Sequence, residues 1–461
     1  MNEIRWRVDV GILVGVLLGI FVASPPLLAQ AEGPSPEPLT LRRAVELALE
    51  RAPQLAAVRA EQDGERASAR LAQDAYHPSA WITTSPGYTY GMPATVAGHV
   101  PSVVGIEFRQ TIYDPYRRSA VYQAEARASS MEGTVARSCQ DTVQQALEVY
   151  ARCWVDQALT ETAKRRVDAA EAIRQRTEAI AAEGRQTELD LERARLQAAR
   201  ARQKLLNAES DRDLDLLELK RLIGWPGSAP LTLAADPDLT VPDLTSTENL
   251  AAARAADPQL RSLSREVELL GHSARVENKR FAPIVEASAS YQRLSKYNDF
   301  DKYYVTFTPD SVAVGVSIAI PVFTGGRFED GRDRARARLD QAEAQRAARE
   351  SDLELAVRRA EASVARTTAE KSLTRRSQGI EEQALSALQL LVREGRSELS
   401  DLDDRQIVLA DADEEASRAA LNSLLERARL LSLRGELARS VLGADPPCLA
   451  EAEAEAQRGK R

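Results

Sequence analysis

The stretch "AAEGRQTELDLERAR" (Ala181 to Arg195) decides how this chain is read, because Gly184 stands where a long helix should continue. From Tyr116 to Gly224 there is no proline, and Gly133 is the only other internal glycine. A glycine inside a helix costs roughly 1 kcal/mol relative to alanine. The same cue returns in "VREGRSELSDLDDRQ" (Val392 to Gln406), where Glu-Gly-Arg, a hydroxyl residue and an Asp-Leu pair recur around Gly395. Both glycines are read as reversal points, able to take the left-handed conformation that ends a helix. Thr187 and Ser397 then serve as expected caps of the returning helices.

On either side of these reversals, further landmarks repeat in the same order, the signature of an internal duplication. "LTLRRAVELALERAPQL" (Leu39 to Leu55) matches "LTSTENLAAARAADPQL" (Leu244 to Leu260) at an offset of 205 residues, and Pro78 matches Pro283. "IYDPYR" (Ile112 to Arg117) matches "VFTGGR" (Val322 to Arg327), and "LIG" ending at Gly224 resembles "VLG" ending at Gly443. The expected organisation is a signal peptide (1–31), a first repeat (32–224), an inter-repeat linker (225–245), a second repeat (246–443) and a polar tail (444–461).

Each repeat begins with one short helix, Leu41 to Tyr76 or Ser246 to Phe281, and then changes composition. Sixteen of the twenty-two aromatic residues fall between Tyr76 and Tyr116 or between Phe281 and Phe328, where the apolar period drops to two. Val104, Ile106, Phe108 and Ile112 alternate with Gly105, Glu107, Arg109 and Thr111. Val312, Val314, Val316, Ile318 and Ile320 alternate with small residues, and "IVEASASYQ" (Ile284 to Gln292) supplies their partner strand. Such segments suit a transmembrane β-barrel, although a half-buried soluble sheet has the same alternation. Two hairpins per chain cannot close a membrane barrel, which needs about eight strands or more, and open edges are not tolerated in lipid. A spanning barrel therefore requires several copies.

After each hairpin the chain is helical. Arg117 to Glu183 would extend about 100 Å at ~1.5 Å per residue, with a shorter return from Arg185 to Ile223. The second repeat keeps the plan from Gly331 to Glu394 and from Arg396 to Leu442, with Ala and Leu along a long close-packed seam.

At the N-terminus, Arg5 and Arg7 precede an apolar run from Val10 to Ala23 and an Ala29-Gln30-Ala31 site, the pattern of a secretory signal peptide. A retained anchor is the alternative, for which the run is short. A net charge of -8 gives nothing to attract nucleic acid. Cys139 and Cys153 lie about 21 Å apart along one helix and cannot pair, Cys448 is in the tail, and the cysteines are expected to be free. His77, His99 and His272 have no metal-ligand spacing, so no metal or other cofactor is expected. No nucleophile, base and orienting acid come together, and Asp403 and Asp404 read as solvated helix charges.

The paired starts, the strand windows ending in "IYDPYR" and "VFTGGR", the glycine-centred reversals and the "LIG" and "VLG" ends together resemble the TolC-type outer-membrane efflux protein family over nearly the whole mature chain. The resemblance implies a fold that is mainly α with a small β part. Long antiparallel helical hairpins and β-hairpins would form a homotrimeric α-barrel/β-barrel channel of about twelve strands and twelve tunnel helices. It implies an outer-membrane exit duct of a tripartite efflux or type I secretion system, embedded in outer-membrane lipid and working with a periplasmic adaptor and an inner-membrane pump. The linker and tail would lie at the equatorial belt. A periplasmic coiled-coil adaptor is the alternative, but it should carry one hairpin rather than a duplicated unit.

The same resemblance places the working parts at the reversals. Gly184, Arg185, Gly395 and Arg396 would be hairpin tips in contact with the adaptor. Asp190, Asp401 and Asp404 would form a periplasmic gate of carboxylate rings, or else complement the dipole at the start of a returning helix. Many relatives carry a small apolar residue directly after the reversal glycine, and Arg185 and Arg396 depart from that pattern. The cargo is not written in these residues.

Overall fold

The computed structural model describes residues 38–84, 102–234, 245–279, 281–294, 310–323, 325–397 and 399–444, together with 446 and 448. The expected signal peptide, residues 235–244 of the linker and nearly all of the tail lie outside the described residues. The chain divides at Pro38, and every helix and strand named below belongs to the unit Leu39–Arg461.

The first half contains α1 (Leu41–Arg51), α2 (Pro53–Asp74), β1 (Ser79–Thr83), β2 (Ser102–Tyr113), α3 (Pro115–Ala182) and α4 (Glu188–Leu222). The second half repeats that order with α5 (Ser246–Ala256), α6 (Pro258–Glu277), β3 (Ile284–Leu294), β4 (Asp310–Ala319), α7 (Arg327–Arg393) and α8 (Leu399–Leu433), and ends in α9 (Leu437–Leu442).

Three features differ from the sequence reading. The single short helix expected at the start of each repeat is two helices, because proline disfavours helical backbone in the residue before it. Ala52 and Asp257 are extended, with ψ of 116° and 113°, and Pro53 and Pro258 open the next helix from a position where their missing N–H is not needed. The final return does not run on to Leu442. It stops at Leu433, where Gly435 takes φ +70°, and α9 is a separate short helix. The cysteines are not all free: Cys139 and Cys448 form a disulfide with Cα atoms 6.4 Å apart. The spacing argument holds for Cys139 and Cys153 but said nothing about a residue 309 positions away.

The four strands make one antiparallel sheet in the order β1-β2-β3-β4, so the two hairpins join through β2 and β3. Register puts Ile82, Ile106, Tyr291 and Val312 in one row across the sheet, and Phe108, Ala289 and Val314 in another. On the other face, Glu107 meets Ser290, which in turn meets Ala313. The alternation read from the sequence is thus continuous across all four strands.

The helices bury small residues. α3 approaches α6 closely enough that a Cβ on Gly133 would collide with the Ser262 side chain, coming within 2.7 Å of its Cβ. Ala170 of α3 packs with Ala198 and Ala201 of α4. The largest apolar cluster joins α1, the middle of α3, the ends of α4 and α8, and α9. Buried Tyr150 donates from its hydroxyl to the Leu39 carbonyl at 2.9 Å, tying the start of the unit to α3.

Candidate functional site

Two surfaces carry the residues singled out from the sequence. The first is the sheet. Its apolar side is open: Val314 is 80% exposed and Ile318 67%, with Ile82, Val312 and Val316 alongside. A row of aliphatic side chains of this kind is left outside water only where something apolar covers it. The outer strands β1 and β4 each have one paired neighbour in the sheet. Among the described residues no helix is long and apolar enough to cross a membrane.

The second surface is the pair of reversals. Gly184 has φ +74° and Gly395 φ +69°, with Arg185 N–H donating back to Ile180 O at 3.2 Å and Arg396 N–H to Leu391 O at 2.9 Å. This six-residue wrap satisfies the last carbonyls of α3 and α7 and needs the left-handed residue. Both tip arginines are exposed, and each pairs with the glutamate two residues earlier, Glu183 or Glu394, at 3.3 Å. The two tips therefore present the same Glu-Gly-Arg arrangement.

The three aspartates expected at a gate occupy different surroundings. Asp190 is the third residue of α4 and closes a capping box with Thr187, which holds its carboxyl below the usual range through the Thr187 hydroxyl and N–H. Arg193 lies 3.5 Å away. On the second tip α8 starts at Leu399, so Ser397 stands before the cap position, and Glu398 lies outside the described residues. Ser397 instead donates its hydroxyl to Asp401 at 2.7 Å. Asp404 is pushed up by partial desolvation and then by the charges of Asp401 and Asp403. Asp403 is not a solvated charge: it is buried and ion-paired with Arg176 of α3 at 2.6 Å.

That pair belongs to a polar seam between α3 and α8 that sequence reasoning missed. Arg166, 6% exposed, bonds to Asp411 and reaches Glu414 at 3.0 Å. Arg165 pairs with Asp413 at 2.9 Å, and Lys204 of α4 approaches Asp411 at 3.4 Å. Glu414 sits below its ordinary value although burial raises it, because Arg166, Lys204 and Arg418 outweigh the burial. The sequence carries the acids as "ADADEE" (Ala410 to Glu415), but which neighbouring helix they face is decided by how the two hairpins dock. Further along α3, Asp156 is raised by burial and then by the neighbouring Asp215 of α4. Among the described residues no group of acids, histidines or cysteines is arranged to hold a metal ion.

Helix contacts run α4–α3–α8–α7, so α4 and α7 flank the layer. Each flank shows leucine away from that layer. Leu189, Leu196 and Leu217 of α4 lie on one heptad register with Leu206 and Leu214 beside them, and Leu373 and Ile380 of α7 are seven residues apart.

Comparison with known proteins agrees with this geometry. A family described as outer membrane efflux protein matches residues 44–225 and 249–436. The chain is similar to the outer membrane efflux protein BepC of Brucella suis biovar 1 (strain 1330), with 23% identity over 282 residues, and spans 58% of that relative's length. Its fold is similar to the CmeC outer membrane channel of Campylobacter jejuni, with a TM-score of 0.72 and 14% identity, covering 90% of this chain and 89% of that one. It is also similar to the outer membrane protein VceC of Vibrio cholerae, with a TM-score of 0.68 and 19% identity, covering 86% and 96%.

Proposed function

The chain belongs to the outer membrane efflux protein family, whose place is the outer membrane, and from that premise we propose that three copies form an exit duct from periplasm to exterior. Family and fold are those of channel proteins rather than enzymes. The observation that carries the reading is the incompleteness of one chain. A sheet of four strands with a bare aliphatic face cannot stand alone in lipid, where backbone edges must be paired. Three copies supply twelve strands, joining β4 of one to β1 of the next. The leucine stripes of α4 and α7 lie on the flanks that the same rotation brings together. The helical layer below the sheet then encloses a tunnel.

Conduction through it is passive at this component, and the energy comes from an inner-membrane pump reached through a periplasmic adaptor. The adaptor meets the tips, where each Arg185 or Arg396 is offset by its own glutamate, so docking there is less cationic than two bare arginines suggest. Asp401 and Asp404 gate the periplasmic mouth, where three copies gather of an Asp404 already raised by partial burial and by the charges of Asp401 and Asp403; Asp190 serves its capping box.

Single-channel conductance of the purified protein in planar bilayers, beside Asp401→Asn/Asp404→Asn, tests the reading. Discrete openings whose block by divalent cations is lost in the variant are expected. Openings with unchanged block reduce the two acids to helix-start residues. A folded preparation that never conducts overturns the duct.

A further inference from the structure

The two connections between the second-repeat helices and the sheet share an arrangement that the duct itself does not use. From α6 into β3 the chain passes Lys279 and then Phe281; from β4 into α7 it passes Phe323 and then Arg327. In each, the phenylalanine stands on the sheet side and the cation on the helix side. All four are exposed, Phe323 at 91% with Val322 beside it at 78%. The facing ends of α6 and α7 are neighbours: a Cβ on Gly331 would sit 3.4 Å from Glu277 Oε2. Lys279 and Arg327 both lie beyond that contact, toward the sheet. The next acids along the two helices, Glu277, Glu329 and Asp330, stand on its far side from the phenylalanines. Leaving the sheet, the order is therefore apolar, cationic, then acidic.

The first repeat shows what has changed. Arg117 is the counterpart of Arg327, since "IYDPYR" matches "VFTGGR", and Arg117 is satisfied within the chain. It pairs with Asp114 at 3.2 Å, three residues earlier, and approaches Glu286 at 3.8 Å. The second repeat has Thr324 at the position of Asp114, so that carboxylate is absent from the sequence. Tyr113 is half-buried, whereas its counterpart Phe323 is bare. Among the described residues neither Lys279 nor Arg327 has an ion-pair partner, although most seams of this chain are dense with such pairs. Two free cations beside bare aromatic rings ask for an occupant that is anionic at one level and apolar at the next.

The depth agrees with a membrane boundary. The eleven steps from Val312 to Phe323 span about 37 Å of extended chain at ~3.4 Å each. At a strand tilt of about 35–45° that is about 26–31 Å along the membrane normal, against an apolar band of about 25 Å. The opposite boundary is marked on the same strand pair by the exposed Arg293–Asp310 ion pair at 3.0 Å. Ile320 and Val322 continue the two-residue period of Val312 to Ile318, which keeps them on the face that looks outward from a closed barrel. We propose that this junction is a site for an acidic glycerophospholipid of the inner leaflet. Phe281, Val322 and Phe323 enter the acyl layer, and Lys279 and Arg327 bind the phosphate. The proposal rests on the sheet facing lipid, as the duct requires. It adds a lipid of stated charge, held by the second repeat alone.

The full-length protein, reconstituted in vesicles of phosphatidylcholine and phosphatidylglycerol, tests this. Phe323→Trp adds an emission read as the difference from the parent. Lipids brominated near the head of the acyl chain should quench it several-fold more than lipids brominated near the chain end. Val316→Trp, in the middle of the sheet, should show the reverse order and so reports on the barrel itself. Quenching of Val316→Trp without quenching of Phe323→Trp, as when a neighbouring copy covers the junction, overturns the lipid site and leaves the duct standing. Quenching of neither overturns the sheet's place in lipid and the duct with it. The second measurement is the phosphatidylglycerol retained per chain after detergent extraction, read by native mass spectrometry. Lys279→Gln/Arg327→Gln should retain less than the parent, by about fivefold for each cation removed. Equal retention overturns the phosphate contact. Conductance of that variant, expected unchanged, guards against loss of fold.

Discussion

Replacing Arg166 by methionine should loosen the α3–α8 seam measurably without unfolding the chain. Methionine keeps most of the apolar stem and removes only the guanidinium. Breaking a buried ion pair by deleting one partner costs about 3–5 kcal/mol when the other charge is left stranded. Here neither carboxylate is stranded. Asp411 keeps Lys204 at 3.4 Å, and Glu414 keeps Arg418 at 2.8 Å. The expected cost is therefore that of charged hydrogen bonds alone, about 1–3 kcal/mol. Thermal unfolding in detergent, monitored by helical ellipticity, should show a fall of about 1–3 °C. The pH dependence is the sharper readout. Glu414 titrates below its ordinary value of 4.5 in the folded chain, burial being outweighed by Arg166 and its other cations. A carboxylate depressed on folding contributes stability above its unfolded value and loses it as the pH falls through the lower folded one. The two proteins should thus differ near neutrality and converge as the pH falls below 4.5 and through the lower folded value. An R166M protein as stable as the parent at neutral pH, or a difference that persists in acid, would remove Arg166 as the fastener of this seam.

The disulfide closes a segment of 309 residues, and Cys448→Ser should cost about 2–4 kcal/mol, read as a lower unfolding temperature. Thiol titration of the unfolded, unreduced parent should find only Cys153, which in the folded protein should resist alkylation because burial pushes its thiol up to about 12. Gly133→Ala should destabilise by about 1–3 kcal/mol through the Ser262 clash despite its better helix propensity, and Ser262→Gly should restore most of that loss in a two-mutation cycle. Asp404→Asn should raise stability near neutral pH, because a carboxyl raised on folding favours the folded state only while protonated. The gain should vanish in acid, and unfolding temperatures at both conditions check it.

The duplication, the reversal glycines, the long helices and the alternating strands were legible because each rests on local chemistry. A left-handed turn demands glycine, a helix tolerates alanine and leucine, and a strand exposes alternate residues to different surroundings. Thr187 and Asp190 were also legible, since a capping box spans only four residues. Placing breaks before Pro53 and Pro258 needed no tertiary information, only attention to the residue preceding proline.

Whatever depended on docking was out of reach of such local signals. "DLDDRQ" names four charges but not which of them turns inward; the approach of α3 buries Asp403 against Arg176 and leaves Asp404 outside. Arg166 is one arginine among many until α8 lies beside it with Asp411 and Glu414. Cys139 and Cys448 are joined only because α9 folds back onto the middle of α3, a contact no local periodicity encodes. The elements and their order are written along the chain, because hydrogen bonding and side-chain period act over a few residues. Partners across 200 residues and more were settled by packing, where shape and charge on two distant helices must meet in one place.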